Sequence, residues 1–419
     1  MALIWRAFYR CAWLIALPLA FVYLWRRGRR QPAYRQNWGE RLGRYPVKPS
    51  KPVIWLHAVS VGETRAAVPL IDALIERHPD HQILLTQMTP TGRETAQQLL
   101  GDRVLTAYLP YDLPFAVRRF LRHFQPRFGV LMEMELWPNL IHMSKQAGVP
   151  LYLINARLSE RSMRGYLKAG GLIRPMMAEL TAVAAQWEQD AERLRAVGAI
   201  APRVLGNIKF DFELDGEQVA RGQAWRQSFG DRPVWMAAST REGEEALLLD
   251  ALATRTLPGN PLWLLVPRHP QRFNDVAALL TERKLKFVRR SEWDGVSPLP
   301  TDMQVLLGDS MGEMVSYYAT ADVVVMGGSL LDFGCQSVIE PCALGVPTLV
   351  GPSTFNFADV VREAKAVDAV RQFDDVAAVL DGLVRLLGDP AGRQAMGDAG
   401  REFVARQRGA LQRTLEMLP

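Results

Sequence analysis

The chain has 419 residues, 48% hydrophobic and 22% charged, with a formal net charge of +6 and a pI near 9.3. That is a globular composition too long for one core, so two sizeable domains are expected. The three cysteines (Cys11, Cys335, Cys342) form no CxxC or Cys/His cluster, which argues against a disulfide framework or structural zinc. The basic balance favours an anionic partner, but Lys and Arg are spread along the chain, and no nucleic acid is expected.

Residues 11–25 read CAWLIALPLAFVYLW, uncharged throughout, and RRGRR follows. A spanning helix needs about 20 apolar residues, so this one is short unless Arg6 and Arg10 reach toward headgroups. A secretory signal would carry a cleavage site where this chain has four arginines, and the positive-inside rule keeps those arginines in the cytoplasm. Residues 1–30 are expected to form a membrane anchor or interfacial helix on the cytoplasmic face. The alternative is a buried helix of the first domain.

After residue 50, apolar runs alternate with helical stretches. PVIWLH, QILLTQ, RVLTAYL, RFGVLME and PLYLIN read as strands of one half, and PVWMAAS, PLWLLVP, KFVRR, MQVLLG, DVVVMGG and VPTLVG as strands of the other. Continuous apolar runs joined by helices imply parallel sheets buried on both faces. The repeat pauses in the acidic segment 206–218, which sets domains at 31–206 and 207–419, the second including the terminal helices. The expected fold class is α/β of the GT-B type, two Rossmann-like doubly wound domains facing a central cleft. Ligands of such sheets lie beyond the carboxyl ends of the strands.

Several stretches at those ends carry chemistry. Ser60-Val61-Gly62-Glu63 fits a helix-capping box, as do Thr91 to Glu94 and Ser239 to Glu242. The first differs in Gly62, which costs a helix up to about 1 kcal/mol relative to Ala and makes sense where something approaches the backbone. Spacing alone favours a cap for Glu63. In GVLMEMELWPN, Glu133 and Glu135 end an apolar strand, as a partly exposed strand end or as groups with a task. Lys209 in GNIKFD either meets a phosphate or developing negative charge, or pairs with Asp211 or another carboxylate; its place beside the hinge tips the reading toward function. Arg268 and His269 follow a strand, where Arg suits a phosphate and His269 is secondary. GDSMGEM (308–314) is a turn with free amides. In VVVMGGSLLDFGCQSVIE, Gly327 and Gly328 end a strand, a second Gly-bearing turn opens a helix at Gln336-Ser337, and Glu340 follows, a set suited to a phosphate and a ribose.

The motifs HAVSVGE, LLTQMTPTGRE, YLPYDLP, MEMELWPN, NARLSERS, GNIKFD, VPRHPQRF, MGGSL and GPSTFNF together closely resemble the 3-deoxy-D-manno-oct-2-ulosonic acid (Kdo) transferases of Gram-negative bacteria, over residues 1 to about 360. The resemblance implies an inverting glycosyltransferase of lipopolysaccharide core biosynthesis. It would move Kdo from CMP-Kdo to the lipid A precursor (lipid IVA) at the cytoplasmic face of the inner membrane, with inner-membrane lipids around it and neither cofactor nor catalytic metal. It implies Glu63 as general base and Glu133 and Lys209 in transition-state stabilisation. Donor contacts fall on Pro267, Arg268 and His269, on Gly312, Glu313 and Met314, and on Ser337, Val338, Ile339 and Glu340. Where that family commonly reads GGHNPLE, this chain reads GCQSVIE, so amides are expected to matter more there than side chains.

Two other readings compete. A GT-B enzyme using a UDP-sugar would share the fold and the Gly-rich turns. A non-catalytic lipid-binding protein would keep the anchor and the basic surface without needing Glu63, Glu133 and Lys209.

Overall fold

The computed structural model describes residues 2–419. The chain divides into two compact units, the residues up to Phe212 with Gln407–Pro419, and Glu213–Arg406. The first unit holds β1 (Val53–His57), β2 (Gln82–Gln87), β3 (Val104–Tyr108), β4 (Phe128–Met132), β5 (Leu151–Ala156), β6 (Ala182–Ala185) and β7 (Arg203–Val204). They form one sheet in the order β3-β2-β1-β4-β5-β6-β7. The second holds β8 (Val234–Thr240), β9 (Leu262–Pro267), β10 (Phe287–Arg289), β11 (Val305–Leu307), β12 (Val323–Met326), β13 (Thr348–Val350) and β14 (Val370–Gln372). Their order is β10-β11-β9-β8-β12-β13-β14. Every strand pair is parallel, as continuous apolar runs flanked by helices require. β1, β4 and β5 are buried at every residue.

The strand order reverses between β1 and β4 in the first sheet and between β8 and β12 in the second. Crevices at such reversals take ligands in doubly wound sheets. β1 and β4 run directly into Ser60 to Glu63 and Glu133 to Glu135, while β8 and β12 run into Arg241 to Glu245 and Gly327 to Leu331.

The segment GNIKFD belongs to the first unit, not to the second as its position suggested, and the chain returns there at its end. The Asp211 carboxylate accepts from the Gly409 and Leu411 amides, both at 2.5 Å, and Ala410 and Leu418 join the first unit's core. A carboxylate at the start of the helix Ala410–Met417 satisfies donors that lack a partner in the helix itself. β6, β7 and β14 are strands that the apolar runs did not reveal. β6 is mostly alanine, a poor strand former, and the other two have two and three residues.

The first helix, α1 (Ala2–Arg27), is docked along one face. Arg6 pairs with Glu179 at 2.8 Å and meets His142 at 2.9 Å, and Arg10 donates to Asn139. Trp13 packs on Tyr111 and Trp137, and Phe21 and Leu24 join a cluster with Tyr34, Tyr111 and Leu113. The other face exposes Ile4, Phe8, Leu14, Ile15, Leu19 and Val22. By length and composition Ile4–Arg27 could cross a membrane. It is neither a buried core helix nor a detached anchor. Arg6 and Arg10 tie it to the first unit, and its apolar face is left bare.

Candidate active site

At the first switch point, Ser60 caps the helix α2 (Val61–Arg77), accepting from the Glu63 amide at 3.3 Å. Ser60 Oγ donates to Glu63 Oε1 at 2.8 Å, and the Val59 amide donates to Oε2 at 2.7 Å. Glu63 thus folds back on the helix start, reaching the amide just before the cap and not the cap's own, and the two other matches of the pattern do not. Thr89, not Thr91, caps its helix, and Ser239 lies in β8 ahead of a helix capped by Gly243. A Cβ at Gly62 would meet nothing nearer than Ser60 Oγ at 3.9 Å, so no contact within the chain requires a glycine there.

Three carboxylates gather here, and their compensation differs. Glu133 pairs with Lys209 Nζ at 2.9 Å, both side chains about one-third exposed. Lys209 therefore takes Glu133 and not Asp211, whose carboxylate is occupied by the C-terminal helix. Glu135 accepts from Trp137 Nε1 at 3.0 Å and faces His57 Nε2 at 3.6 Å. Burial alone would push Glu135 up, but the His57 ring and the Trp137 N–H hold it below the usual carboxylate range. Glu63 pairs with no cation among the described residues. Burial and the nearby Glu133 and Glu135 charges raise its carboxyl above the ordinary value, against the pull of the Val59 and Ser60 hydrogen bonds.

Backbone geometry fixes this cluster. Glu133 sits at φ 58°, where a non-glycine residue is uncommon and strain of order 1–3 kcal/mol accumulates. Lys209 is carried by buried amides. Asn207 Oδ1 accepts from the Lys209 amide, Asn207 Nδ2 donates to Gln186, Gln186 donates to the Asn155 carbonyl, and Asn155 Oδ1 accepts from the Ile208 amide.

At the second switch point the turns are held together by backbone contacts. Gln336 N donates to Gly327 O at 3.1 Å and Cys335 N to Gly328 O at 2.7 Å. A Cβ at Gly327 would lie 2.5 Å from Ser239 O, so only glycine fits. Arg268 Nε donates to Gln336 at 3.3 Å, linking the PRH stretch to this turn. His269 accepts from Arg241 at 3.0 Å. Burial, with Arg241, Arg268 and Arg272 around it, lowers its pKa and keeps the ring neutral. The helix after the turn begins at Ile339, later than the sequence suggested, and has six residues. Glu340 accepts from Ser337 Oγ and pairs with no cation among the described residues, and burial raises its pKa. Cys335 stands at φ 70°, a conformation that favours glycine. Gly312 at φ 81° leaves open space beside the third turn, but the Glu313 carboxylate is taken by Arg290 at 3.1 Å and Arg221 at 3.4 Å.

Two buried acids escaped the sequence reading. Glu244 accepts from the amides of Arg241 (2.8 Å), Gly328 (2.7 Å), Leu330 (2.9 Å) and Leu331 (3.3 Å), so one carboxylate pins the GGSL turn. Glu245 takes Arg272 with both oxygens, at 2.7 and 2.9 Å, and the Thr240 hydroxyl. The adjacent pair Glu244-Glu245 just after a strand was the available signal. His57 and Glu135 likewise stood inside quoted motifs without a role.

Residues 36–212 match the family model of the 3-deoxy-D-manno-octulosonic-acid transferases, and residues 297–403 match that of the group 1 glycosyl transferases. A 3-deoxy-D-manno-octulosonic acid transferase of Bordetella pertussis is 44% identical over 414 residues, 96% of each chain. One from Haemophilus influenzae is 39% identical over 99% of this chain and 98% of its own. A glycosyltransferase structure from Rickettsia africae aligns at TM-score 0.54 and 14% identity, covering 88% of this chain and 98% of that one. A UDP-GlcNAc 2-epimerase from Neisseria meningitidis aligns at 0.58 and 15%, covering 88% and 99%. At such identity these two structures speak to the fold, which is GT-B.

Proposed function

Because this chain belongs to the 3-deoxy-D-manno-octulosonic acid (Kdo) transferase family, and is a Kdo-transferring glycosyltransferase, we propose that it moves Kdo from CMP-Kdo to the lipid A precursor with inversion, Glu63 serving as general base. One observation carries the assignment within the first unit: of its three gathered carboxylates, Glu133 pairs with Lys209 and Glu135 faces the His57 ring, while Glu63 pairs with no cation among the described residues. A carboxylate whose charge is left uncompensated and partly desolvated is the one most ready to take a proton.

In this reading an acceptor hydroxyl forms the bond to the anomeric carbon as the bond to CMP breaks, and the hydroxyl proton passes to Glu63. The transition state is oxocarbenium-like. Lys209, aligned by Asn207 and held on Glu133, stabilises charge that develops as the bonds change. In the second unit Arg268 meets the phosphate, the backbone of Gly312 to Met314 and of Ser337 to Ile339 lies along the nucleotide, and Glu340 accepts from ribose hydroxyls. Pro267 ends β9 and, with His269, shapes that wall. No cofactor or metal takes part in the proposed reaction.

α1 is proposed to hold the enzyme at the cytoplasmic face of the inner membrane. With Arg6 and Arg10 fixed to the first unit, the bare stripe of Phe8, Ile15 and Leu19 suits a helix lying in the interface plane among lipids. The test is transfer from CMP-Kdo to purified lipid A precursor, read by mass spectrometry, alongside thermal protection by CMP and by UDP. Kdo-bearing product and protection by CMP are expected. Protection by UDP instead would return the chain to the UDP-sugar reading.

A further inference from the structure

Three side chains of α1 meet one helix of the first unit in register. Arg6 reaches His142 at 2.9 Å, Arg10 donates to Asn139 Oδ1 at 2.9 Å, and the Trp13 ring lies 6.3 Å from that of Trp137, centroid to centroid. Positions 6, 10 and 13 are spaced i, i+4, i+7, which is one face of a helix. Residues 142, 139 and 137 run backwards along the helix Pro138–Gln146 to its cap, Trp137. The line of contacts therefore ends at the segment 133–137, which joins β4 to that helix and carries Glu133 and Glu135. The seat is shaped for α1. A Cβ at Gly171 would fall 2.3 Å from Trp5 Cδ1, and Arg6 also pairs with Glu179, both side chains largely buried.

The segment is held at both ends. At its start the Glu133 amide donates to the Ile154 carbonyl of β5 at 2.9 Å. Just past its end Asp112 accepts from the Asn139 and Leu140 amides at 2.8 and 2.7 Å, which fixes the helix start. Trp137 itself is half-buried, and among the described residues Trp13 is the aromatic ring packed on it. We infer that the docked face of α1 belongs to the active-site framework, with Trp13 and Arg10 as positioning residues that fix the segment 133–137 and with it the Glu133–Lys209 pair, beyond any part the helix plays at the membrane. The inference rests on the reading of Glu133 and Lys209 given above. Rings at this spacing attract each other, and losing the contact frees one end of a short segment whose other end holds Glu133 in a strained conformation. Relaxation there moves Glu133 and the ammonium it holds, and a displacement of about 1 Å at working groups can cost up to about 10²-fold in rate.

Trp13→Ala tests this in the full-length protein with detergent-dispersed acceptor, where attachment to a membrane plays no part. kcat for transfer should fall about 10-fold, with KM for CMP-Kdo and CMP affinity unchanged. Trp13→Phe, which keeps a ring against Trp137, should recover most of the rate, and Arg10→Met should act in the same direction as Trp13→Ala. Ile15→Asp with Leu19→Asp, on the bare face, should leave turnover at the wild-type value. Hydrogen exchange reads the link without turnover: the amides of residues 133–140 should lose protection in Trp13→Ala while those of β1 and of the second unit keep theirs. A general loss of stability would instead lower protection throughout the first unit and would count against a positioning role. Opened amides at 133–140 with wild-type turnover would sink the reading of Glu133 and Lys209 and leave the link between α1 and the segment standing. Unchanged protection at 133–140 in a folded Trp13→Ala protein would overturn the inference and leave α1 as an attachment alone.

Discussion

The two units reach their candidate sites by opposite means. At the first switch point the working groups are side chains, with three carboxylates, Lys209 and His57 converging on two strand ends. At the second the framework is backbone, with the turns 327–331 and 334–338 bonded to each other and pinned from beneath by Glu244, whose carboxylate no ligand can reach. The difference follows from the chemistry proposed for each. Moving a proton needs a side chain with an adjustable charge, while holding a phosphate and a ribose needs many fixed dipoles at little reorganisation. Single substitutions should therefore act sharply on turnover in the first unit and gradually on binding in the second.

The largest expected effect is that of Glu63→Gln. The amide oxygen can still accept from Val59 or Ser60, so folding and CMP binding should stay near wild type while transfer falls by about 10²- to 10⁴-fold. Activity within a few-fold of wild type would reduce Glu63 to its capping role. Lys209→Met comes next. It leaves Glu133 uncompensated beside Glu63, and transfer should fall by roughly 10²-fold with CMP affinity unchanged, measured by single-turnover kinetics and calorimetry.

On the second unit, Glu340→Ala should weaken CMP binding by about 1.5–3 kcal/mol, the worth of a hydrogen bond to a charged group. Ser337→Ala should cost less, and equal losses by calorimetry would mean that the turn depends on side chains after all. Glu244→Gln keeps one acceptor but not four strong bonds. We expect it to lower the unit's stability by about 1–3 kcal/mol, seen in urea unfolding, with any effect on turnover entering through KM for the donor.

The smallest effect on catalysis should come from the exposed face of α1. Ile15→Asp with Leu19→Asp should release the protein from anionic vesicles in a sedimentation assay, with turnover on detergent-dispersed acceptor unchanged. Beneath that helix, burial pushes the Asp112 carboxyl up to about 6. An acid that is harder to ionise when folded binds more protons folded than unfolded, so stability should fall as pH rises from about 4 to about 6 and level off above. Asp112→Asn should remove that slope.

Much of this was legible in the sequence, for reasons that differ by element. The long apolar runs that became β1, β2, β4, β5, β8 and β9 could only be strands buried on both faces, and the parallel sheets and the GT-B class followed. The alanine-rich β6 and the short β7 and β14 carried too little apolar signal, because their burial comes from neighbours and not from their own residues. The capping box at Ser60 was readable, yet the same spacing at Thr91 and Ser239 failed, because a cap depends on where the strand releases the chain. The motifs also marked Glu63, Glu133, Lys209, Arg268 and Glu340. What only the tertiary structure decided is which charge meets which. Lys209 goes to Glu133 and Asp211 to the returning C-terminal helix, Glu313 is spent on Arg290 and Arg221, Glu244 disappears under a loop, and His57 turns its unpaired nitrogen to Glu135. Sequence fixes the residue types along a strand, but a charge–charge contact between segments 76 residues apart, as for Glu133 and Lys209, exists only once the sheet has set the strand ends side by side.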